Sequence, residues 1–409
     1  MTLSLPFGVD SHCELPDSQN LVAHIGHLPA TPLADPQGET ARVLAEPLDF
    51  PPLSQTAVPG DRVVLALDTQ VPQADSIVAA VVEQLTQAGV EPQDISLLRS
   101  PLDLAGDPMA KIPQAQRDKI VVEIHDPADR KKLSYLAATK GEHRVYLNRS
   151  LTDADVVLPI GSLRYDPVFG YHGVTTGLYP LFSDNETLSR GWARSIAPAS
   201  VGDAAKARAE SDEVGWLLGV QFVVQAIAGA GDDLAHVLAG EARSVFAAGG
   251  PLVDQTWSAA IPRAVALAMA TVSGSPHWQT WDALGRALTV AEGCVADGGS
   301  IVLCTALGSG ADRGKLGPAL SSLASGEKHD SLLRRIHKHP SEDSWAATQI
   351  IRTLGRCKVF LISQLEPQTV EDLGMAPVKD AAEVARLVER SSDFVVLENA
   401  ENLRVWIGK

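Results

Sequence analysis

Arg62-Val63-Val64-Leu65-Ala66-Leu67-Asp68 sets the fold. Its five central residues are apolar without alternation, which marks a strand buried on both faces. Working outward, Ser76 to Leu85 has the pattern of a helix, and Gly89 supplies its stop. Further strands are read at Ile95 to Leu98, Ile120 to Ile124 and Ala154 to Gly161. In the second half, Ala264 to Ser273 reads as a strand or a buried helix, and Asp282 to Cys294 as a helix. Gly298-Gly299 reads as a turn into the strand Ser300 to Thr305. Trp345 to Gly355 and Ala381 to Arg390 follow as helices, with Lys358 to Ser363 and Phe394 to Leu397 as strands. Strands alternating with helices predict an α/β fold, each half a mainly parallel sheet flanked by helices.

A chain of 409 residues exceeds one ordinary core. Two domains are expected, residues 1–255 and 256–409, with the breaker cluster Gly249-Gly250-Pro251 as the hinge. Ligands of such sheets sit beyond the carboxyl ends of strands. Asp68, Gly161 and Cys304 therefore mark the edges of interest, and a cleft between the domains is the expected pocket.

Hydrophobic residues make up 45 % and charged residues 21 %, the balance of a globular protein. The formal charge of −16 repels a phosphate backbone and gives no attraction to an anionic membrane. Nucleic acid and membranes are not expected partners; a small-molecule ligand is. The oligomeric state is not legible. Met1-Thr2-Leu3-Ser4-Leu5-Pro6 lacks the pattern of a signal peptide, and no apolar run approaches a membrane span. Cys13, Cys294, Cys304 and Cys357 are scattered, without a C-x-x-C pair, which predicts reduced, partly buried thiols in a cytoplasmic protein.

Generic motifs carry little. Gly308 to Gly314 is glycine-rich, but its spacing departs from G-x-G-x-x-G, so a mobile or substrate-facing loop is expected. His337-Lys338-His339 reads as a solvated loop, and His12-Cys13 as surface or packing. No metal site is expected.

The ordered succession of other segments is more telling. Glu46-Pro47-Leu48, Pro52-Leu53 and Pro59-Gly60-Asp61-Arg62-Val63 lead into the strand ending at Asp68. His125-Asp126-Pro127, Val145-Tyr146-Leu147-Asn148-Arg149 and Gly170-Tyr171-His172-Gly173 follow, then Gly274-Ser275-Pro276, Trp281-Asp282-Ala283 and Leu373-Gly374-Met375. In this order they resemble the nickel-pincer lactate racemase family over nearly the whole chain. The resemblance implies racemisation or epimerisation of 2-hydroxy acids, an isomerase activity. It also implies a lysine-tethered pyridinium nucleotide carrying nickel, a histidine ligand, and two histidines exchanging the hydroxyl proton.

Residue by residue, this chain departs from that pattern. The first catalytic histidine falls on Asp166, the tethering lysine on Thr176, and the metal-binding histidine near Trp192. No histidine lies between His27 and His125, where the second proton-exchanging histidine belongs. The phosphate and substrate loop reads Asp68-Thr69-Gln70-Val71-Pro72, with Val71 in place of arginine. In the C-terminal substrate motif, at Trp281, only Arg286 offers a cation. Asp166, Tyr171, His172, Thr175 and Thr176 nonetheless make a polar cluster. Asp166 and His172 are the candidate acid–base pair. Asp68, Thr69, Tyr171, Thr175, Thr176, Trp281 and Arg286 are the candidate binding residues. The leading expectation is a divergent family member binding a small hydroxy acid in the cleft without the covalent cofactor. A working racemase with relocated groups and a non-catalytic binding protein are the alternatives.

Overall fold

Every residue of the strand Val63–Leu67 is buried, and its two faces belong to different cores. Val63, Leu65 and Leu67 pack against Ile77, Val81 and Leu85 of the helix Ala74–Gln87. Val64 and Ala66 face Leu147, Leu178 and Phe182 on the other side. Period-two alternation thus fills two layers from one apolar run. The computed structural model describes residues 2–16, 19–27, 30–102, 106–166, 169–196, 201–308 and 314–408.

Two six-stranded sheets organise the chain. The first runs, in spatial order, Leu234–Glu241, Phe222–Ala228, Val156–Ser162, Val63–Leu67, Ile95–Arg99 and Val121–Ile124. It is parallel except for the antiparallel pair Phe222–Ala228 and Leu234–Glu241. The second, parallel throughout, runs Ala376–Pro377, Lys358–Ile362, Val295–Cys304, Val265–Thr271, Phe394–Leu397 and Leu21–Ile25. The α/β architecture and the helix positions follow the sequence reading. Val265–Thr271 resolves as a strand.

Some expectations change. Gly249-Gly250-Pro251 is not a hinge: the helix Ala242–Trp257 runs straight through it. Gly249 is there for contact, since a Cβ on it would lie 2.2 Å from Leu163 Cδ2. Packing overrides the local breakers, as it does for any helix held by its apolar face. Gly298-Gly299 lies inside the strand Val295–Cys304, with Gly298 at φ +79°. His337 and Lys338 close the helix His329–Lys338 instead of forming a loop, although they and His339 are exposed. Most of the glycine-rich loop after Gly308 lies outside the described residues.

Residues 2–16 and 19–25, assigned from sequence to the leading unit, lie with the second sheet. Leu21–Ile25 pairs in parallel with Phe394–Leu397. The hairpin of Thr2–Phe7 and Ser11–Pro16 places Leu5, Phe7, Cys13 and Leu15 against Leu267, Met269 and Val302. The opposite face of that sheet, through Ala268 and Ala270, is covered by the helix Trp281–Cys294. All four cysteines are free and buried. No helix among the described residues is long and apolar enough to cross a membrane.

The hairpin is therefore one wall of a core. Leu5→Ala should cost about 2–5 kcal/mol and lower the urea midpoint. A midpoint equal to that of the parent would show the hairpin to be an appendage.

Candidate functional site

Val63–Leu67 and Val156–Ser162 are parallel neighbours, so their carboxyl ends lie side by side. Asp68 ends the first strand, 2 % exposed, and its amide donates to the Ile160 carbonyl at 2.9 Å. After the second strand the chain doubles back as a short antiparallel hairpin, Arg164–Asp166 with Gly170–His172. Arg164 pairs with His172, Tyr165 with Tyr171, and Asp166 with Gly170.

That register sorts the side chains. Arg164, Asp166 and His172 share one face and line a cavity of about 930 Å³. Tyr165 and Tyr171 take the other face, edge to face at 6.1 Å. Tyr171 also meets the Phe246 ring and donates to Asp254 Oδ2 at 2.6 Å. Burial, then that hydrogen bond, pushes the Tyr171 phenol up to about 12. Tyr171 is thus a structural residue behind the site.

On the cavity face, His172 Nε2 lies 2.6 Å from Asp68 Oδ2. Asp68 Oδ1 accepts from the Thr69 amide at 2.7 Å. Burial alone would push the Asp68 carboxyl up. The neighbouring His172, Arg164 and the Thr69 amide outweigh it and hold Asp68 below the ordinary carboxylate range. Asp166 follows the same logic, with Arg286 the strongest counterweight to burial and the Phe169 amide donating at 3.0 Å.

The second sheet supplies the opposite wall. Thr280 caps the helix Trp281–Cys294 by accepting from the Ala283 amide. Arg286, on that helix, donates from Nε to Asp282 Oδ2 at 2.7 Å and from Nη2 to Asp166 Oδ2 at 3.4 Å. Gln70 Nε2 also reaches Thr280 Oγ1, at 3.4 Å. Asp68, Thr69, Asp166, His172, Thr176, Trp281 and Arg286 all line the cavity, as does Trp192.

The turn after His172 fixes the remaining candidates. Gly173 takes φ +108°, and a Cβ there would sit 2.7 Å from Gln225 Oε1 and 3.0 Å from Leu163 Cα. Only glycine allows that approach. Thr176 Oγ1 accepts from the Gly173 amide at 2.7 Å and donates to the Gly173 carbonyl at 3.0 Å. Thr175 turns away to hydrogen-bond Asp212 on the helix Val201–Leu217 and does not line the cavity.

Sequence reasoning missed Arg164. It lines the cavity, and its Nε and Nη1 are buried without a hydrogen-bond partner among the described residues. Its position two residues before Asp166 on a strand was the available signal.

Residues 9–200 match the family model of the lactate racemase N-terminal domain. The likeness to that family's N-terminal domain thus spans a little under half of the chain. The chain's fold resembles the lactate racemase apoprotein of Thermoanaerobacterium thermosaccharolyticum, with a TM-score of 0.79 at 15% identity. That likeness covers 99% of this chain and 100% of the other. A Thermotoga maritima protein is similar with a TM-score of 0.68 at 13% identity, over 93% of this chain and 100% of its own. At those identities the likeness establishes the fold. No curated protein matches the chain. Among the described residues, no group of three His, Cys, Asp or Glu side chains is arranged to hold a metal.

Asp68 binds its proton less readily folded than unfolded. Its contribution to stability is therefore present above about pH 4 and is lost as the pH falls through the lower folded value. The difference in urea midpoint between the parent and Asp68→Asn should be widest at neutral pH and shrink below about pH 4. A constant difference from neutral to acid contradicts this account.

Proposed function

We propose that this chain is a lactate-racemase-family member and binds a small hydroxy acid or related metabolite in the cavity between its two sheets, without the covalent nickel-carrying nucleotide. One observation carries the reading: a single hairpin face presents Asp166 and His172 to the cavity, with Asp68 on the imidazole and Arg286 opposite. Held through Nε2 by an ionised Asp68, the imidazole is positioned to exchange a proton with a ligand hydroxyl through Nδ1. The cavity's mixture of a few polar groups with apolar walls such as Leu181, Leu188 and Trp192 suits a small organic ligand. We also take the chain to divide near residue 255, with residues 2–25 belonging to the second unit.

The residues present do not fit the family's cofactor. Thr176 has no amine, and its hydroxyl is already engaged with Gly173 on both sides. Trp192 offers no metal ligand, since a neutral indole only donates. Racemisation further requires a base on each side of the reacting carbon. Here His172 stands on one side, while Asp166 is tied to Arg286. That asymmetry supports binding, or one-sided proton exchange, over racemisation.

Intact mass and elemental analysis of the purified protein test the first part: the bare chain mass and no stoichiometric nickel are expected. Calorimetric titration with lactate and larger 2-hydroxy acids tests the second. Saturable binding should weaken roughly tenfold in His172→Ala, the loss of one charge-assisted hydrogen bond. An added mass with one nickel per chain contradicts the reading, as does the absence of any binding.

A further inference from the structure

Among the described residues, the buried charges of the cavity wall are satisfied with one exception. Asp68 has His172 and the Thr69 amide. Asp166 has Arg286 and the Phe169 amide. Arg286 has both Asp166 and Asp282. Arg164 lies within electrostatic reach of Asp68, Asp166, Asp282 and Arg286. Yet its Nε and Nη1, both out of contact with water, reach no acceptor among the described residues. A buried guanidinium donor without a partner costs more than an ordinary hydrogen bond returns. Such a group persists where something else completes it.

We propose that Arg164 is the carboxylate receptor of this cavity, taking the carboxylate of a carboxylic acid whose apolar body lies along Leu181, Leu188 and Trp192. The proposal rests on the reading that the cavity binds a small acid, and assigns the residue that anchors it. The planar guanidinium offers two parallel N–H donors to two carboxylate oxygens, an arrangement no other side chain provides. Arg164 keeps part of its side chain open on the cavity, so a small turn of the guanidinium brings its edge to an incoming carboxylate. Its cross-strand pairing with His172 places a hydroxyl near the bound carboxylate within reach of the imidazole. Asp68, Asp166 and Asp282 outnumber the two guanidiniums of Arg164 and Arg286, so a monoanion meets less repulsion than a phosphate dianion. The volume of about 930 Å³ leaves room for a body much larger than a methyl group.

The test compares 3-phenylpropanoate with its neutral isostere 3-phenylpropanamide by calorimetry, with lactate and inorganic phosphate as further probes. The full chain is used as parent, Arg164→Met and Arg164→Lys, each checked by circular dichroism. The parent should bind the acid at least about tenfold more tightly than the amide. Arg164→Met should erase that preference by weakening the acid alone. Arg164→Lys, which keeps the charge and loses the fork, should retain part of it and serves if the methionine variant does not fold. Equal affinity of the parent for acid and amide overturns the proposal, as does an undiminished preference in Arg164→Met. In both cases measured lactate binding would leave the broader reading standing. Phosphate binding more tightly than either acid overturns the monocarboxylate assignment. A parent that binds none of the acids overturns the broader reading together with this one.

Discussion

Carboxylates placed where parallel strands end lose much of their water, and each must recover that loss from a neighbour. Asp68 and Asp166 show the solution. Each takes one backbone amide and one cationic or imidazole partner, and both remain ionised despite burial. The Asp166–Arg286 contact also crosses from the hairpin of the first sheet to a helix of the second. Electrostatic compensation and the joining of the two halves are thus a single arrangement. Arg286 is held by two aspartates and cannot easily serve a ligand without giving one up, whereas Arg164 has donors to spare.

Much of the architecture was legible because burial on both faces leaves a plain mark. Unbroken runs such as Val63–Leu67 and Phe394–Leu397 have one structural meaning when flanked by helical patterns. The failures have physical reasons. Gly249-Gly250-Pro251 reads locally as a break, but Gly249 is demanded by Leu163, a residue far away in sequence. The strand Leu21–Ile25 is only half buried along its length, so its place at a sheet edge depends on a partner near the other end of the chain.

Within the site, side-chain types were legible and their directions were not. The polar cluster after Asp166 was visible as composition. Only the hairpin register shows that Tyr171 backs the site while His172 faces it. Thr175 and Thr176 are adjacent in sequence, yet one serves a helix and the other its own turn. Arg164 went unnoticed because a lone arginine beside a strand is usually solvated, and its missing partners appear only in three dimensions.

The chain enters the second sheet with Leu21–Ile25, leaves it to build the whole of the first, and returns to complete it with Phe394–Leu397. On a ribosome, the opening strand therefore emerges long before its hydrogen-bonding partner exists. At synthesis rates of roughly 5–20 residues per second that interval is on the order of 20–75 s. The intervening sheet can fold as a unit during that time. The hairpin of Thr2–Phe7 and Ser11–Pro16 can pair within itself at once, but Leu5 and Leu15 wait for Leu267, Met269 and Val302, and Leu21–Ile25 waits longest, for Phe394–Leu397.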